Sequence, residues 1–426
     1  MELKKSKKYL KKALRYIPLA SQTFSKSYQQ YPDKFPFFAE NGNGGRITDV
    51  DNNEYVDLIM GLLPLTLGYN DNDVNKAIIK QLEKGITFSL PTLLEYELSY
   101  KLTQLIPSAE KVRFAKNGTD VTSGAIRLAR GITKKDKIIT CGYHGWQDWY
   151  IGTTSRNLGV PKKVRNLSIA TKFNDIDDVH KIIKKNKNDI AAMIIEPMSF
   201  VEPKKDYYKE LQALLKKNKI LFIFDEIITG FRFSEGGAQK YFNITPDLSC
   251  FGKGMANGMP LSALVGKSKY MNKMSEIFFS GTFGGESLSL AASIATIDKI
   301  KKKNVIKRLW STGSQILKHI NLEIKNFKLE SLIDVKGKEP WSLVNFKSSK
   351  KLDKFQLKYI FMKNMAANGV LTLGTNNICF AHSVKDINKI KKAYSNTFSL
   401  INEIIYQNRK YNFRSIKPIF SVRKNA

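Results

Sequence analysis

Between residues 110 and 266 the chain alternates short apolar runs of strand length with helix-like stretches, and no other feature limits its fold as tightly. The apolar runs are VRFAK, KIITCG, AAMIIE, ILFIFDE and LSALVG, and stretches such as VTSGAIRLARG and YYKELQALLKKN lie between them. Continuous apolar strands need cover on both faces, so the pattern predicts an α/β architecture: a mainly parallel central sheet covered by helices. After about residue 300 the pattern changes. The helix NVIKRLWSTGSQILKHINLEIKN leads to strands SLIDVKG and SLVNFK and to a closing helix DINKIKKAYSNTFSLINEII. This predicts a smaller α+β domain. Ahead of the sheet, residues 1–40 read as a helix followed by an irregular segment rich in Ser, Tyr and Pro. Ile47, Val50, Tyr55 and Val56 then flank Asp51-Asn52-Asn53, the signature of a hairpin turn. DVNKAIIKQLEKG and LLEYELSYKLTQLI carry helical spacing. The expected division is 1–60, a segment contributing to the small domain; 61–300, the large domain; and 301–426, the small C-terminal α+β domain.

A length of 426 residues with 42% hydrophobic content suffices for a large core in two to three domains. No apolar run reaches the roughly 18 residues of a membrane span, so no membrane partner is expected. The N-terminal MELKKSKKYLKKALRYIP reads as a solvated leading helix rather than a targeting segment. Cys141, Cys250 and Cys379 are odd in number and far apart, with no CxxC pair, which points away from a disulfide framework or a zinc site and toward a cytoplasmic compartment. The formal charge of +32 raises the question of nucleic acid. Its lysines are spread along the chain (KKSKKYLKK, KKDK, KKNK, KKKN, KIKK), as on a solvated surface, so a nucleic-acid partner is not expected.

The chemistry concentrates around two residues. ILFIFDE ends in Asp225-Glu226, and in open α/β sheets ligands bind at the carboxyl ends of strands. A carboxylate buried there needs a cationic partner, and a protonated pyridine nitrogen is one. Further on, CFGKGMANGMPLSAL sets Lys253 between two glycines in apolar surroundings that lower a lysine's pKa and free its amine as a nucleophile. A Schiff-base lysine and an aspartate at the pyridinium nitrogen are what pyridoxal 5'-phosphate (PLP) minimally requires of a protein. Each signal alone has an ordinary reading, a capping Asp and a loop Lys. Their force comes from the pieces that accompany them. Asn117-Gly118-Thr119 opens a helix after a strand, as a phosphate cradle or a plain N-cap. Tyr143-His144-Gly145-Trp146 follows a strand and offers an aromatic to a flat ring, or a rim aromatic. Glu196-Pro197 ends another strand, and SGTFGGE carries Thr282, a second phosphate donor or a simple turn residue.

In this order, NGTDVTSGAIRLARG, YHGWQDW, IIEP, FDEIITGFR, DLSCFGKGMANGMPLSALVG and GTFGGE resemble the class-III aminotransferases, and among them glutamate-1-semialdehyde aminomutase. The resemblance runs from about residue 35 to 395. It implies PLP-dependent transferase fold type I, with the cofactor in the large domain. It implies Lys253 as the Schiff-base lysine and Asp225 as partner of the ring nitrogen. By the same resemblance Gly118 and Thr119 would hold the phosphate, with Asn117 where the aminomutase has Ser; Tyr143 would stack on the ring beside His144, and Glu196 would be a supporting acid. Thr282 reaches the phosphate of the neighbouring subunit, which implies a homodimer. Ile228 stands where ornithine-type enzymes have Gln, as in the aminomutase branch. The interval Gly374, Thr375, Asn376, Asn377 lacks the acid that the aminomutase has shortly before its Ala-His pair. The expected function is transfer of an amino group between a small-molecule donor and a carbonyl acceptor. DWYIGTTSRNLGVPKKV suggests a keto-sugar-type acceptor through its likeness to aminotransferases of surface-sugar synthesis. The alternative is glutamate-1-semialdehyde aminomutase activity; the distant one is a nucleic-acid-binding protein.

Overall fold

The computed structural model describes residues 2–416, 418 and 419. The chain forms two compact units, one built from residues up to Asp71 together with Lys307–Ile419, the other from Asn72–Ile306. In the first unit, α1 (Lys4–Ala13) precedes a meander of β1 (Ala39–Asn43), β2 (Arg46–Asp49) and β3 (Glu54–Asp57). The turn between β2 and β3 is organised by Asp49. Its buried carboxylate accepts from the backbone N–H of Asp51 and Asn53, both at 2.9 Å, and from the Tyr55 hydroxyl at 3.0 Å. The turn expected at residues 51–53 therefore forms because one side chain replaces the missing ladder partners.

The second unit begins with α2 (Asn72–Leu82) and α3 (Leu93–Leu105). Its sheet comprises β4 (Lys111–Ala115), β5 (Lys137–Cys141), β6 (Ser168–Ala170), β7 (Ile190–Ile195), β8 (Leu221–Asp225), β9 (Leu248–Phe251) and β10 (Ser262–Gly266), in the order β4-β10-β9-β8-β7-β5-β6. The pairs β5–β6, β5–β7, β7–β8 and β8–β9 are parallel. Only β10 is reversed, pairing antiparallel with both β9 and β4. A parallel return needs a crossover of a dozen or more residues. The segment 252–261 is too short for one, so the chain turns back, and Lys253 lies in that return.

Side chains alternate between two buried faces, as strand geometry requires. Ile138, Ala192, Ile194 and Ile223 face a cluster that includes Val121, Ala125 and Ile126 of α4 (Gly118–Thr133). Ile139, Met193, Ile195, Phe222 and Phe224 face a cluster that includes Tyr208, Leu211 and Leu215 of the helix Tyr207–Lys217. Two strands of this sheet carry no strand signal in the sequence. β6 is only three residues long, and Ser249 and Cys250 break the apolar run in β9.

In the first unit, β11 (Ile333–Lys338), β12 (Trp341–Phe346) and β14 (Thr375–Asn377) form an antiparallel sheet, while β13 (Val370–Leu371) joins β3 in parallel. The helix Val384–Tyr406 closes the chain. Among the described residues no helix is long and apolar enough to cross a membrane.

Replacing Asp49 by Ala strands several donors at once, at roughly 1–3 kcal/mol for each that stays buried and unpaired. Asp49→Ala is expected to lower the urea midpoint of the protein clearly, with Asp49→Asn intermediate. An unchanged midpoint in the Ala variant would remove the carboxylate from its role in the turn.

Candidate active site

The strand order β9-β8-β7-β5 brings four carboxyl ends to one edge of the sheet in succession: the Lys253 return, Asp225, Glu196 and the Tyr143-His144 loop. β4 points the same way, because β10 is reversed against both its neighbours, and it delivers Asn117 and the start of α4 to that edge.

Asp225 ends β8 and is 3% exposed. Its Oδ2 lies 2.8 Å from His144 Nδ1, and its Oδ1 accepts from the Ile227 N–H at 3.1 Å. A carboxylate facing Nδ1 assigns the proton to that nitrogen. His144 is itself buried. Its ring lies within 14° of parallel to Trp149 and stands against the edge of Tyr150. Its Nε2 has no hydrogen-bond partner among the described residues. Thr122 Oγ1 of α4 donates to the His144 carbonyl at 2.9 Å, which ties this loop to that helix.

Two glycines let the loop pass so close. At Gly142 (φ +110°) a Cβ would lie 2.5 Å from Glu196 Oε2, and at Gly145 (φ +106°) one would lie 2.4 Å from Thr119 Oγ1. Both the backbone conformation and the space exclude a side chain. Tyr143, between them, is 45% exposed and stands edge-on to Tyr150. Its N–H donates to Glu196 Oε2 at 2.9 Å. Burial, reinforced by the charge of Asp225, pushes the Glu196 carboxyl up to about 7.

Lys253 opens a 3-10 turn at φ +42°, a conformation few non-glycine residues adopt and one that concentrates at functional sites. Burial lowers its pKa; the nearby charges of Glu196 and Asp225 oppose that, and Arg232 adds to it. Ser293 Oγ holds the turn through the Met255 carbonyl at 3.0 Å.

At the head of α4, Asn117 is exposed, and its carbonyl accepts from Ser262 Oγ at 2.8 Å. Asp120 Oδ2 accepts from the Asn117 N–H at 2.7 Å, so the ordinary capping arrangement is present. It leaves Thr119 Oγ1 buried with no partner among the described residues, beside the free amides of the helix N-terminus. Ile228 is half-buried. Thr282 is the outlying member. It is exposed on the turn Gly281–Gly284 and lines a cleft of about 900 Å³ that also runs past Lys116 and Asp120.

The sequence reading overlooked three features. Glu226, the second acid of the DE pair, accepts from the amides of Ala238 and Gln239 at 2.7 and 2.8 Å and from Thr229 Oγ1, so it folds the loop that follows Asp225. Arg232, in the GFR of the same motif, is 1% exposed although charged. The pairing of His144 with Asp225 joins residues 81 apart in sequence, and no local pattern announces it.

Residues 27–387 match the family model described as aminotransferase class-III. The chain is 35% identical over 422 residues to a glutamate-1-semialdehyde 2,1-aminomutase of Methanosarcina acetivorans, covering 92% of this chain and 98% of that one. It is 34% identical over 399 residues to a 3-aminobutyryl-CoA aminotransferase of Cloacimonas acidaminovorans, covering 91% and 95%. Among solved structures, the FumI protein of Sphingopyxis sp. MTA144, in a form that carries PLP, superposes with a TM-score of 0.88 at 25% identity, covering 94% and 97%.

The raised Glu196 carboxyl makes stability depend on pH. It keeps its proton in the folded chain up to about 7, whereas the unfolded chain loses it near 4.3. Its contribution is therefore complete below the unfolded value and is lost as pH rises through 7. Glu226, raised to about 7 by burial, acts in the same direction. Glu196→Gln is expected to flatten the decline of the urea midpoint of the cofactor-free protein between pH 5 and 7, by at most ~1.4 kcal/mol per pH unit. An unaltered slope would mean that Glu196 is already ionised in the folded chain.

Proposed function

Since the chain belongs to the class-III aminotransferases, we propose that it is an enzyme moving an amino group from a small-molecule donor to a separate carbonyl acceptor, with PLP held between Lys253 and Asp225. PLP is the cofactor of this family, and the residues present suit it. A buried, unpartnered Thr119 hydroxyl beside helix amides is suited to a phosphate, and a buried carboxylate to a pyridinium. The observation that carries transfer between two molecules, rather than within one, concerns residues 374–377. Asn376 is buried and spent on Tyr394 Oη at 2.7 Å and Ser342 Oγ at 3.1 Å. Asn377 donates to the Ile59 carbonyl at 2.8 Å, and its Oδ1 is buried with no partner among the described residues. Neither side chain is an acid, unlike the residue that the aminomutase has in this interval. Glutamate-1-semialdehyde isomerisation remains the second reading, supported by the names of relatives and by apolar Ile228. We propose a keto-sugar-type acceptor on the likeness of DWYIGTTSRNLGVPKKV, and a reducing, cytoplasmic setting, in keeping with three buried free thiols.

When bound, PLP supplies an aldehyde for amine exchange and an electron-withdrawing ring that accepts the electrons of a broken Cα–H bond. The chain's residues do the rest. Lys253 Nζ is the point of covalent attachment. Its depressed pKa would suit the free amine to move a proton at substrate Cα. Asp225 holds the proton of the ring nitrogen, and His144 keeps that carboxylate aimed. Gly118, Thr119 and Asn117 would anchor the phosphate at the start of α4, Tyr143 would stack on the ring, Ile228 would stand near the ring hydroxyl, and Glu196 braces the Tyr143 backbone. We further propose a homodimer in which Thr282 serves the phosphate of the second copy. The exposed apolar side chains Leu90, Leu93, Phe278 and Phe283 support such a covered face.

Lys253→Ala is expected to fold, to bind PLP without the visible absorption of a lysine-linked cofactor, and to lose transamination. Asp225→Asn should lower kcat by about 10²-fold or more. The decisive assay treats the PLP-loaded enzyme with a panel of amines, follows loss of the visible band, then adds carbonyl acceptors. Isomerisation of glutamate-1-semialdehyde with no added acceptor would overturn the two-substrate reading; a protein that takes up no PLP would overturn the whole assignment.

A further inference from the structure

The turn carrying Thr282 is seated on α4 through a matched track. Gly124, Arg127 and Gly131 recur at spacings of three and four, and so share one face of that helix. The segment Ile277–Phe279 runs along this face. A Cβ at Gly124 would lie 3.0 Å from the Phe279 ring, and one at Gly131 would lie 3.2 Å from Ile277 Cγ2. Between the glycines, Arg127 Nη1 donates to the Phe278 carbonyl at 2.5 Å. From β4, Arg113 Nη2 donates to the Phe279 carbonyl at 3.0 Å. Two successive carbonyls just ahead of Thr282 are thus each held by a guanidinium. Neither arginine has a carboxylate partner among the described residues. On either side of Thr282, Phe278 is 81% and Phe283 59% exposed, while Ile277 and Phe279 pack against the core.

We propose that Arg127 and Arg113 are positioning residues that hold Thr282 in place for the cofactor phosphate of a second copy of this chain. The inference rests on the proposed role of Thr282 in that contact. α4 then has two duties: its N-terminus cradles the phosphate of its own subunit, and its flank fixes the turn offered to the other. Both arginines line the cleft that Thr282 also lines, and the proposal assigns them to the turn rather than to the ligand. A guanidinium bonded to a peptide carbonyl is a charge-assisted contact, and its removal loosens the segment just ahead of Thr282.

The test compares PLP with pyridoxal, which lacks the phosphate, on the full-length apoprotein at a concentration where sedimentation shows one oligomeric state. Dissociation constants are measured for the parent, Thr282→Ala, Arg127→Ala, the double variant and Gly124→Ala. Thr282→Ala and Arg127→Ala are each expected to weaken PLP about tenfold, in line with loss of one hydrogen bond to a charged group, and to leave pyridoxal unchanged. The double variant should be no worse than Thr282→Ala, because the arginine acts through the threonine. Gly124→Ala, which keeps both charges but displaces the Phe279 ring, should show the same phosphate-selective loss. Equal weakening of PLP and pyridoxal by Arg127→Ala, or additive effects in the double variant, would reduce the arginine to general support and overturn the proposal. Loss in Thr282→Ala with none in Arg127→Ala would overturn it while sparing the role of Thr282. No loss in Thr282→Ala would remove that role and this inference together.

Discussion

Everything at the site follows from a sheet buried on both faces. Once Ile138/Ile139, Ala192/Met193 and Phe222/Ile223 must alternate between two apolar layers, polar groups have no place along the strands and collect at their ends. The parallel direction of four neighbouring strands then decides that the carboxyl ends share one edge. Four short loops follow, each carrying a group too costly to bury singly. Set against one another, those groups offset much of that cost.

The electrostatics of the edge show how this balance works. Asp225 is almost wholly enclosed, yet one oxygen meets an imidazole and the other a backbone amide. Glu196 lies close enough to sense the Asp225 charge and is pushed toward its neutral form, while Lys253 is pushed toward the free amine. Desolvation is the largest influence on both, so the same dry environment readies an acid and a base in opposite directions. Glu226 shows the contrast. It is equally enclosed, but its bonds to Thr229, Ala238 and Gln239 close a loop rather than face a ligand. Of two adjacent acids, one meets an imidazole 81 residues away in the chain and the other closes a local loop.

Helix α4 binds these parts into one body. Its first turn presents Thr119, its buried face enters the core, Thr122 holds the His144 loop, and its outer flank receives Ile277–Phe279. The glycines on and around it mark close approaches, not flexibility. Gly142 and Gly145 admit Glu196 and Thr119, and Gly124 admits Phe279.

The sequence by itself determined the two-faced sheet, the hairpin at Asp51-Asn52-Asn53 and the family, because periodicity, turn chemistry and ordered motifs are local properties that survive without coordinates. It also singled out Lys253 and Asp225, since a lysine between glycines and an acid at a strand end are visible in the chain. The reversal of β10 was only implicit in the length of 252–261, and β9 was hidden by Ser249 and Cys250. The clasp of His144 on Asp225, the opposing influence of Glu196 and Asp225 on Lys253 and the arginine track under Thr282 belong to the tertiary structure alone. They join residues far apart in the chain through burial and distance, and neither quantity exists until the sheet has closed around them.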